Sequence, residues 1–407
     1  MLETQEVKIL KIEEFEIRNL LVIVICNLEI IFMRILFTGG GTMGSVIPLL
    51  AVAEELKNRD PGNDFYWLGT RRGPEKEVVR NYNIEFKAIC AGKLRRYFSW
   101  LNFLDIFKVI IGLVQSIILL LIWRPQIIIS AGGFTAVPVV WAGWLLGIPS
   151  LIHQQDVRVG LANKLCAWCA KHITVCFGES LKYYNQNKTS VVGNPVREAL
   201  KHLNTESTEK IKALNHLNTK LFKHGLLNKF DLSEELPVVL IVGGGTGSTA
   251  INNLVFDSIK KLTEFCQVVH ITGGRIKNNE LRIKGIENYY QFDFIIDMTE
   301  ILKLADLIVS RAGMGTLTEI AYLKKPAIII PIVDSHQEDN AIYFAEREAI
   351  VMLDQKKLEA ESFVQLVKDI LGNKKKMQTL GKKVNQVIGW GAEEKIADMI
   401  LKIVNNK

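Results

Sequence analysis

The sequence predicts an α/β chain of two domains, each built on a parallel sheet, with the two sheets facing one another across a cleft. Three observations predict it. An apolar run, Arg34-Ile-Leu-Phe-Thr38, enters the glycines Gly39, Gly40 and Gly41 and then a helical pattern; strand, glycine turn and helix in that order open an α/β unit. The same order returns where Val238-Val-Leu-Ile-Val242 enters Gly243-Gly-Gly-Thr-Gly247. Elsewhere short apolar runs alternate with helical stretches, the pattern of a parallel sheet with crossover helices. A length of 407 residues accommodates two such Rossmann-like units at roughly 150 residues per domain. Ligand would bind between them, at the carboxyl ends of the strands.

In the first half, the strand at 34–38 leads into a helix at 48–59. Then come a strand at 65–68, a helix at 75–81, an apolar helix at 103–123, a strand at 127–130, a helix at 137–146 and a strand at 150–153. The composition changes after Gly193-Asn-Pro-Val-Arg197. Residues 201–235 are rich in Lys, Asn and His and poor in β-branched residues, as in a linker or an inserted surface helix pair. The second half continues from the strand at 238–242 with strands at 267–271, 307–310 and 327–331. The expected division is 33–198 for one domain, 199–236 for the linker or insertion, and 237–407 for the other. Residues 1–32 precede a self-sufficient start at Met33 and read as an upstream extension, with an amphipathic membrane anchor as the other reading.

Hydrophobic residues make up 48% of the chain and charged residues 23%, too apolar for a disordered protein. Lys and Arg outnumber Asp and Glu by 50 to 43, and the resulting +7 suits phosphorylated, lipid or nucleic-acid partners without choosing among them. Six cysteines without an even framework of spacings point to free thiols in a reducing compartment. Two runs bear on membranes: 20–32 contains Asn27 and Glu29, and 109–123 contains Gln115. Each falls short of the roughly 18–20 apolar residues of a spanning helix. A soluble chain that can touch a membrane surface is expected, and a mean hydropathy of +0.16 fits a peripheral protein. The N-terminus lacks the layout of a secretory signal, since several Glu precede its apolar stretch.

The turn at 38–44 has neither the spacing of a dinucleotide fingerprint nor the Lys of a P-loop. Its glycines supply close backbone approach and N–H groups at a helix start, which favour an anion or pyrophosphate; a tight structural turn is the plainer reading. Arg311-Ala-Gly-Met-Gly-Thr-Leu-Thr-Glu319 follows a strand as a third glycine turn. Its amides and Thr316 suit phosphate oxygens. Glu319, about one turn into the helix, can accept from both hydroxyls of a ribose or simply stabilise the helix dipole. In Asp334-Ser-His-Gln-Glu-Asp-Asn340, polar where the chain leaves the sheet, Gln337 suits sugar hydroxyls and His336 can cap the next helix. Lys93, Arg95 and Arg96 interleave with Tyr97, Phe98 and Trp100. Such a segment serves a membrane interface, base stacking or core packing, and the apolar helix after it favours the membrane. Cys166, Cys169, His172 and Cys176 have the look of a metal set, but the first three drift slowly around a helix and no second pair lies near, so core thiols are expected.

Together these segments resemble the MurG family of GT-B glycosyltransferases, which add N-acetylglucosamine to the lipid-linked muramyl-peptide precursor of peptidoglycan. The similarity runs from about Met33 onward. Its anchors stand in order: GGGTMGSVIPLLAVAEEL from Gly39, GKLRRYFSW from Gly92, GGF from Gly132, IHQQD from Ile152, VGNPVR from Val192, FIIDM from Phe294, RAGMGTLTEIA from Arg311 and HQEDNA from His336. The resemblance implies a donor, UDP-N-acetylglucosamine, held mainly by the second half. Ile295 would meet the uracil edge through its backbone. Met314, Gly315, Thr316, Leu317 and Thr318 would line the phosphates, Glu319 would hold the ribose and Gln337 the sugar. Arg197 would reach the pyrophosphate from the interdomain hinge, and Thr42, Met43 and Gly44 would face the same cleft. The acceptor, an undecaprenyl-pyrophosphoryl muramyl-peptide, would lie on the first half near Lys93, Arg95, Arg96, Tyr97, Phe98 and Trp100. That places the chain against the anionic cytoplasmic face of the cell membrane, with no nucleic-acid partner, no cofactor and no metal.

Three departures from the family pattern matter. Gly40-Gly-Thr-Met-Gly-Ser45 stands where the family has GGTGGH, so Ser45 replaces a His near the acceptor; Asp156 replaces the Asn of IHEQN; and Gly245 replaces the phosphate-facing Ser of GGSQGA. Ser45 has no useful basicity near neutral pH. For a single displacement with inversion, the expected base is therefore Asp156, whose pKa a partly closed cleft can raise, with His153 second. A related GT-B enzyme acting on another glycolipid, and a catalytically silent UDP-sugar or lipid-binding protein, stand as alternatives.

Overall fold

Strands with runs of three to five consecutive Ile, Leu and Val residues are apolar on both faces, and a parallel sheet covered by helices on each side buries them. The computed structural model describes residues 33–92, 100–202, 227, 230–245, 247–274, 285–295 and 298–405. The expected extension at 1–32 and most of the expected linker lie outside the described residues. The first sheet has β1 (Arg34–Thr38), β2 (Asp64–Gly69), β3 (Glu85–Ala88), β4 (Ile127–Ser130), β5 (Ser150–Gln154), β6 (His172–Val175) and β7 (Thr189–Val191), ordered β3-β2-β1-β4-β5-β6-β7. The second has β8 (Val238–Val242), β9 (Gln267–Ile271), β10 (Tyr289–Phe292), β11 (Leu307–Ser310), β12 (Ala327–Ile329) and β13 (Val351–Met352), ordered β10-β9-β8-β11-β12-β13. Every pairing is parallel. In both sheets the winding reverses beside the first strand, so the glycine turns after β1 and β8 sit where a crevice opens.

The helices of the first half are α1 (Ile47–Arg59), α2 (Glu75–Asn81), α3 (Trp100–Trp123), α4 (Ala136–Leu145), α5 (Leu161–Ala167) and α6 (Glu198–His202). Those of the second are α7 (Thr249–Leu262), α8 (Thr299–Leu304), α9 (Met314–Tyr322), α10 (His336–Ala345), α11 (Ala360–Leu371), α12 (Lys374–Val387) and α13 (Ala392–Asn405).

Two of them correct the expectations. Within α3 the stretch Asp105–Trp123 is long and apolar enough to cross a membrane by length and composition, whereas the apolar run alone reads as too short. One side of α3 is nevertheless built into the domain. Val109, Leu120 and Trp123 are buried in one cluster with Ile128 and Val137. Gly112 lies so close to the Cys90 carbonyl that a Cβ there would stand 2.0 Å from it. What remains is a stripe of Ile106, Ile110, Val114, Ile118, Leu121 and Ile122, each about half exposed. Helix α13, which the expected division places with 237–407, packs on the first domain. Its stripe Ala392, Ile396, Ala397 and Ile400 is buried with Leu49, Val52 and Ala53 of α1 in the core of the first domain, since an amphipathic stripe must be covered by an apolar partner.

The chain thus crosses between the domains twice, and the crossings touch. A Cβ on Gly193 would lie 1.9 Å from the Gly389 carbonyl oxygen. Beside this contact runs a buried polar relay. His153, 1% exposed, is bonded through Nδ1 to Thr174 Oγ1 (3.0 Å) and through Nε2 to Asn194 Oδ1 (2.9 Å). Asn194 Nδ2 donates to Thr318 Oγ1 (2.7 Å) on α9, and that hydroxyl donates to the Met314 carbonyl (2.7 Å). With Asn194 accepting from Nε2, the ring is the neutral Nε2–H tautomer. Burial pushes the His153 pKa down to about 4.

Two measurements check this architecture. Ile396→Ala is expected to lower the unfolding free energy by about 2–4 kcal/mol in a urea titration; a loss below about 0.5 kcal/mol would detach α13 from the first core. An unfolded His titrates near 6.5 and native His153 near 4, so between those values the unfolded chain binds the extra proton. Stability is therefore full above about pH 6.5 and falls as the pH drops toward 4. His153→Gln should flatten the decline in melting temperature between about pH 7 and 5, and an unchanged slope would overturn the assignment.

Candidate active site

The first glycine turn is filled by the protein itself. Trp67 Nε1 donates to the Gly39 carbonyl (2.9 Å), and Gly41, at φ +85°, lies where a Cβ would meet the Phe134 ring at 2.3 Å. The Gly41 N–H donates to Glu75 Oε2 (3.2 Å), and Glu75 Oε1 accepts from the Thr70 N–H (2.7 Å) and the Thr70 hydroxyl. Glu75 is fully buried. The anion expected at this turn is therefore an internal carboxylate. The turn offers the cleft an exposed Thr42 and a half-buried Met43, while the Gly44 carbonyl accepts from Gln155 Nε2 (2.7 Å). Ser45 is buried, its hydroxyl 3.5 Å from the Thr42 carbonyl.

The second turn meets the first across the cleft. Gly245 is exposed, and a Cβ on it would lie 3.9 Å from Met43 Cγ. Ser248 caps α7 by accepting from the Ile251 N–H (3.3 Å) and also accepts from Arg311 Nη2 (2.6 Å). Arg311 Nη1 donates to the carbonyls of Ile330 (2.9 Å) and Pro331 (3.0 Å). This one guanidinium, itself buried, laces together the segments that leave β8, β11 and β12.

The third turn is open. Gly313, the N-cap of α9, contributes no side-chain cap, and a Cβ on Gly313 or Gly315 would have nothing within 4 Å. The N–H groups of the first turn of α9 stand there at the positive end of the helix dipole. Met314, Leu317 and Thr318 are buried. Of the residues expected at the phosphates, only the backbone and the half-buried Thr316 can serve; the side chains of Met314 and Leu317 are core, and the Thr318 hydroxyl belongs to the relay.

One turn further, Glu319 Oε1 pairs with Arg197 Nη2 at 2.8 Å, both side chains 13% exposed. Arg197 Nη2 also stands 3.4 Å from Thr299 Oγ1. Arg197, expected to reach a pyrophosphate, pairs here with Glu319. Behind it Tyr82 is pushed up to about 12, first by burial and then by Glu54. Glu54 is itself raised by burial and accepts from the Glu198 N–H at 2.7 Å. A small cavity beside the pair is lined by Pro48, Asn194, Arg197, Gly315 and Glu319.

The Asp156 carboxylate, in the loop after β5, is half-buried. Its Oδ1 accepts from Asn340 Nδ2 (2.9 Å), which also donates to the Ala312 carbonyl (3.1 Å), while Asn340 Oδ1 accepts from the Val157 N–H (3.0 Å). Arg158 pairs with Asp339 at 2.8 Å, and Tyr343 and Arg347 both bond Glu179. Helix α10 is thereby clamped to the segments that follow β5 and β6. Gln337, in its first turn, has Oε1 3.4 Å from the Ile332 N–H. Ile295 packs on the core of the second domain. His153 is corrected: both its nitrogens are engaged inside the relay, and it presents no base to the cleft. Lys93, Arg95, Arg96, Tyr97 and Phe98 lie outside the described residues, and Trp100 opens α3.

Helix α5 stops at Ala167, so His172 opens β6 and bonds Ser190 Oγ (3.1 Å) instead of sharing a helix face with Cys166 and Cys169. Burial pushes the Cys166 and Cys176 thiols up. Sequence reasoning passed over Glu75, Asn194, Arg311 and Asn340 as individual residues. The available signal was positional, since Asn194, Arg311 and Asn340 are polar residues inside segments that follow strand ends.

Residues 35–175 match the glycosyltransferase family 28 N-terminal domain, and residues 238–400 match the glycosyltransferase family 28 C-terminal domain. A UDP-N-acetylglucosamine--N-acetylmuramyl-(pentapeptide) pyrophosphoryl-undecaprenol N-acetylglucosamine transferase of Legionella pneumophila is 34% identical over 373 residues, covering 90% of this chain and 96% of the relative. Its namesake from Borrelia hermsii is 31% identical over 377 residues, covering 91% and 96%. Among solved structures, MurG of Acinetobacter baumannii superposes with a TM-score of 0.65 at 24% identity, covering 91% of this chain and 99% of that one. A UDP-GlcNAc 2-epimerase from Neisseria meningitidis reaches 0.64 at 15% identity, covering 91% and 100%. The superpositions speak for the GT-B fold alone. The sequence matches say more, because the two family domains together span most of the chain and relatives more than 30% identical cover about nine-tenths of it: this chain belongs to glycosyltransferase family 28.

Proposed function

We propose that this chain transfers N-acetylglucosamine from UDP-N-acetylglucosamine to N-acetylmuramyl-(pentapeptide) pyrophosphoryl-undecaprenol, with inversion at the anomeric carbon. The observation that carries this reading is the meeting, at one place on the cleft floor, of the open start of α9 and the Arg197–Glu319 pair. Helix-start N–H groups suit diphosphate oxygens, and a carboxylate one turn along suits the two hydroxyls of a ribose. Arg197 positions Glu319 by holding one of its oxygens. Gln337 at the start of α10 supports contact with the sugar, and the Ile295 backbone supports contact with the uracil. Thr42, Met43, Gly44 and Gly245 form the walls nearest the transfer.

In the transfer, an acceptor hydroxyl attacks the anomeric carbon as the bond to the β-phosphate oxygen breaks. The proton passes to Asp156, and the bonding electrons leave with UDP. The added charge on UDP is met by the α9 amides, fixed dipoles that need no reorganisation during the step. Asn340, donating to Asp156 from the other domain, aims the base. The acceptor's lipid lies in a membrane, and the α3 stripe offers an apolar face that lies in the membrane plane. The chain thus acts as a peripheral enzyme on the anionic cytoplasmic surface.

Release of labelled product from UDP-N-acetylglucosamine and the lipid-linked muramyl acceptor tests the reading, with a glycolipid panel as competing acceptors. Donor binding without product would favour the silent alternative, to which the replacements at Ser45 and Gly245 lend support. Asp156→Asn is expected to cut kcat by about 100-fold or more with donor KM little changed; an unchanged kcat would remove Asp156 from the chemistry. Glu319→Gln is expected to raise donor KM by about 10- to 100-fold, as loss of a charge-assisted hydrogen bond does, and a change confined to kcat would dissociate Glu319 from the donor.

A further inference from the structure

The segment 194–198, which carries Arg197 between the domains, is pinned on both sides of that residue. The Val196 N–H donates to Glu393 Oε2 (3.1 Å), a carboxylate 2% exposed at the start of α13. The Glu198 N–H donates to Glu54 Oε2 (2.7 Å) on α1, and Asn58 of the same helix donates to Glu198 Oε2 (2.6 Å). Both helices are packed into the core of the first domain. The backbone around Arg197 is thus set by the first domain, while its guanidinium reaches Glu319 and Thr299 on the second.

Fixing the backbone does not fix the far end of an arginine, which turns about several bonds. A further contact does. The hydroxyl of Tyr82, the C-cap of α2, hydrogen-bonds Arg197 on one side and Glu54 on the other. A guanidinium only donates and a carboxylate only accepts, so the order is settled: Arg197 donates to the Tyr82 oxygen, and the Tyr82 O–H donates to Glu54. Glu54 therefore takes two donors, one from the backbone beside Arg197 and one from the phenol that holds its guanidinium. Neither Glu54 nor Tyr82 lines the small cavity beside the ion pair. They stand behind it.

We infer that Glu54 and Tyr82 are positioning residues for the donor: through Arg197 they hold the Glu319 carboxylate in the orientation that accepts from ribose hydroxyls, and so set the strength of that contact. The inference rests on the donor reading above, in which Glu319 meets the ribose. With Arg197 Nη2 at 2.8 Å from Oε1, the carboxylate cannot turn freely and its remaining acceptor positions keep one direction. A side chain ordered before its ligand arrives loses less freedom on binding. Once Arg197 is released from behind, that ordering cost falls on the ribose contact, whereas the amides at the start of α9 still meet the phosphates.

Calorimetric titration of the full chain with UDP and with 2′,3′-dideoxy-UDP, which lacks both ribose hydroxyls, tests it. The unaltered chain is expected to bind UDP about tenfold or more tightly than the dideoxy compound, as hydrogen bonds to a charged group require. Tyr82→Phe and Glu54→Gln should each weaken UDP by about three- to tenfold and change the dideoxy compound by less than about twofold, the loss of one hydrogen bond felt only at the ribose. Because they act through one chain of contacts, the double variant should fall within about twofold of the weaker single variant. Equal losses for the two nucleotides would reduce Glu54 and Tyr82 to general structure and overturn the inference, and so would an unchanged UDP affinity. If Glu54→Gln does not fold, Tyr82→Phe, which removes a single oxygen, decides alone. Glu319→Gln separates the two readings. If it keeps the full preference for UDP, Glu319 does not read the ribose, and that part of the donor reading falls together with this inference. If it removes the preference while Tyr82→Phe and Glu54→Gln leave it intact, the inference falls alone.

Discussion

Asn194 cannot be satisfied within one domain. It is 1% exposed, its oxygen takes the His153 ring from the first sheet, and its nitrogen gives to Thr318 on a helix of the second. A buried amide left with one end unpaired costs about 1–3 kcal/mol, so the two domains are held at the separation this side chain spans. The Gly193–Gly389 contact sits beside it and tolerates no side chain. Arg197 with Glu319 and Asn340 with Asp156 repeat the principle on either flank. The cleft is therefore shaped by polar groups that find their partners only across it, and the separation of its walls is a chemical distance as much as a matter of packing.

The three glycine turns look alike in composition and do different work. After β1 the loop amide is claimed by Glu75, which leaves that wall rigid and electrically closed. After β8 the polar groups are drawn into the Ser248–Arg311 lacing. The turn after β11 leaves helix-start donors without a side-chain acceptor at the cap, and a Cβ on Gly313 or Gly315 would meet nothing within 4 Å. Of the three turns it is the one whose glycines face open space on both counts, while the other two are tied to buried side chains.

Much of the fold was legible because fully buried parallel strands read as unbroken apolar runs. The runs at 34–38, 127–130, 238–242, 267–271 and 307–310 coincide with β1, β4, β8, β9 and β11. The sheet margins were not legible: β3 (EFKA), β7 (TSV), β10 (YYQF) and β13 (VM) are short and mixed in polarity, since a half-covered strand carries a half-erased pattern. The amphipathic stripe of α13 was equally clear and its partner was not, because periodicity says that a face is buried without saying against what. The same holds for the site. Glu319 and Arg197 stood out in separate segments, but a pairing across 122 positions has no local signature. His153 looked like a base because His at a strand end often is one, and only the positions of Thr174 and Asn194 reveal it as a strut.

The return of α13 to the first domain has a consequence for synthesis on the ribosome. The groove on α1 that receives Ile396 and Ile400 is complete in sequence long before the helix that fills it is made. At about 5–20 residues per second, the roughly 200 residues between α6 and α13 take some 10–40 seconds to appear. For that interval the nascent first domain carries an unfilled apolar channel, a surface for chaperones to cover and an aggregation hazard if they do not. The order in which the chain is made thus runs against the order in which its first core can close.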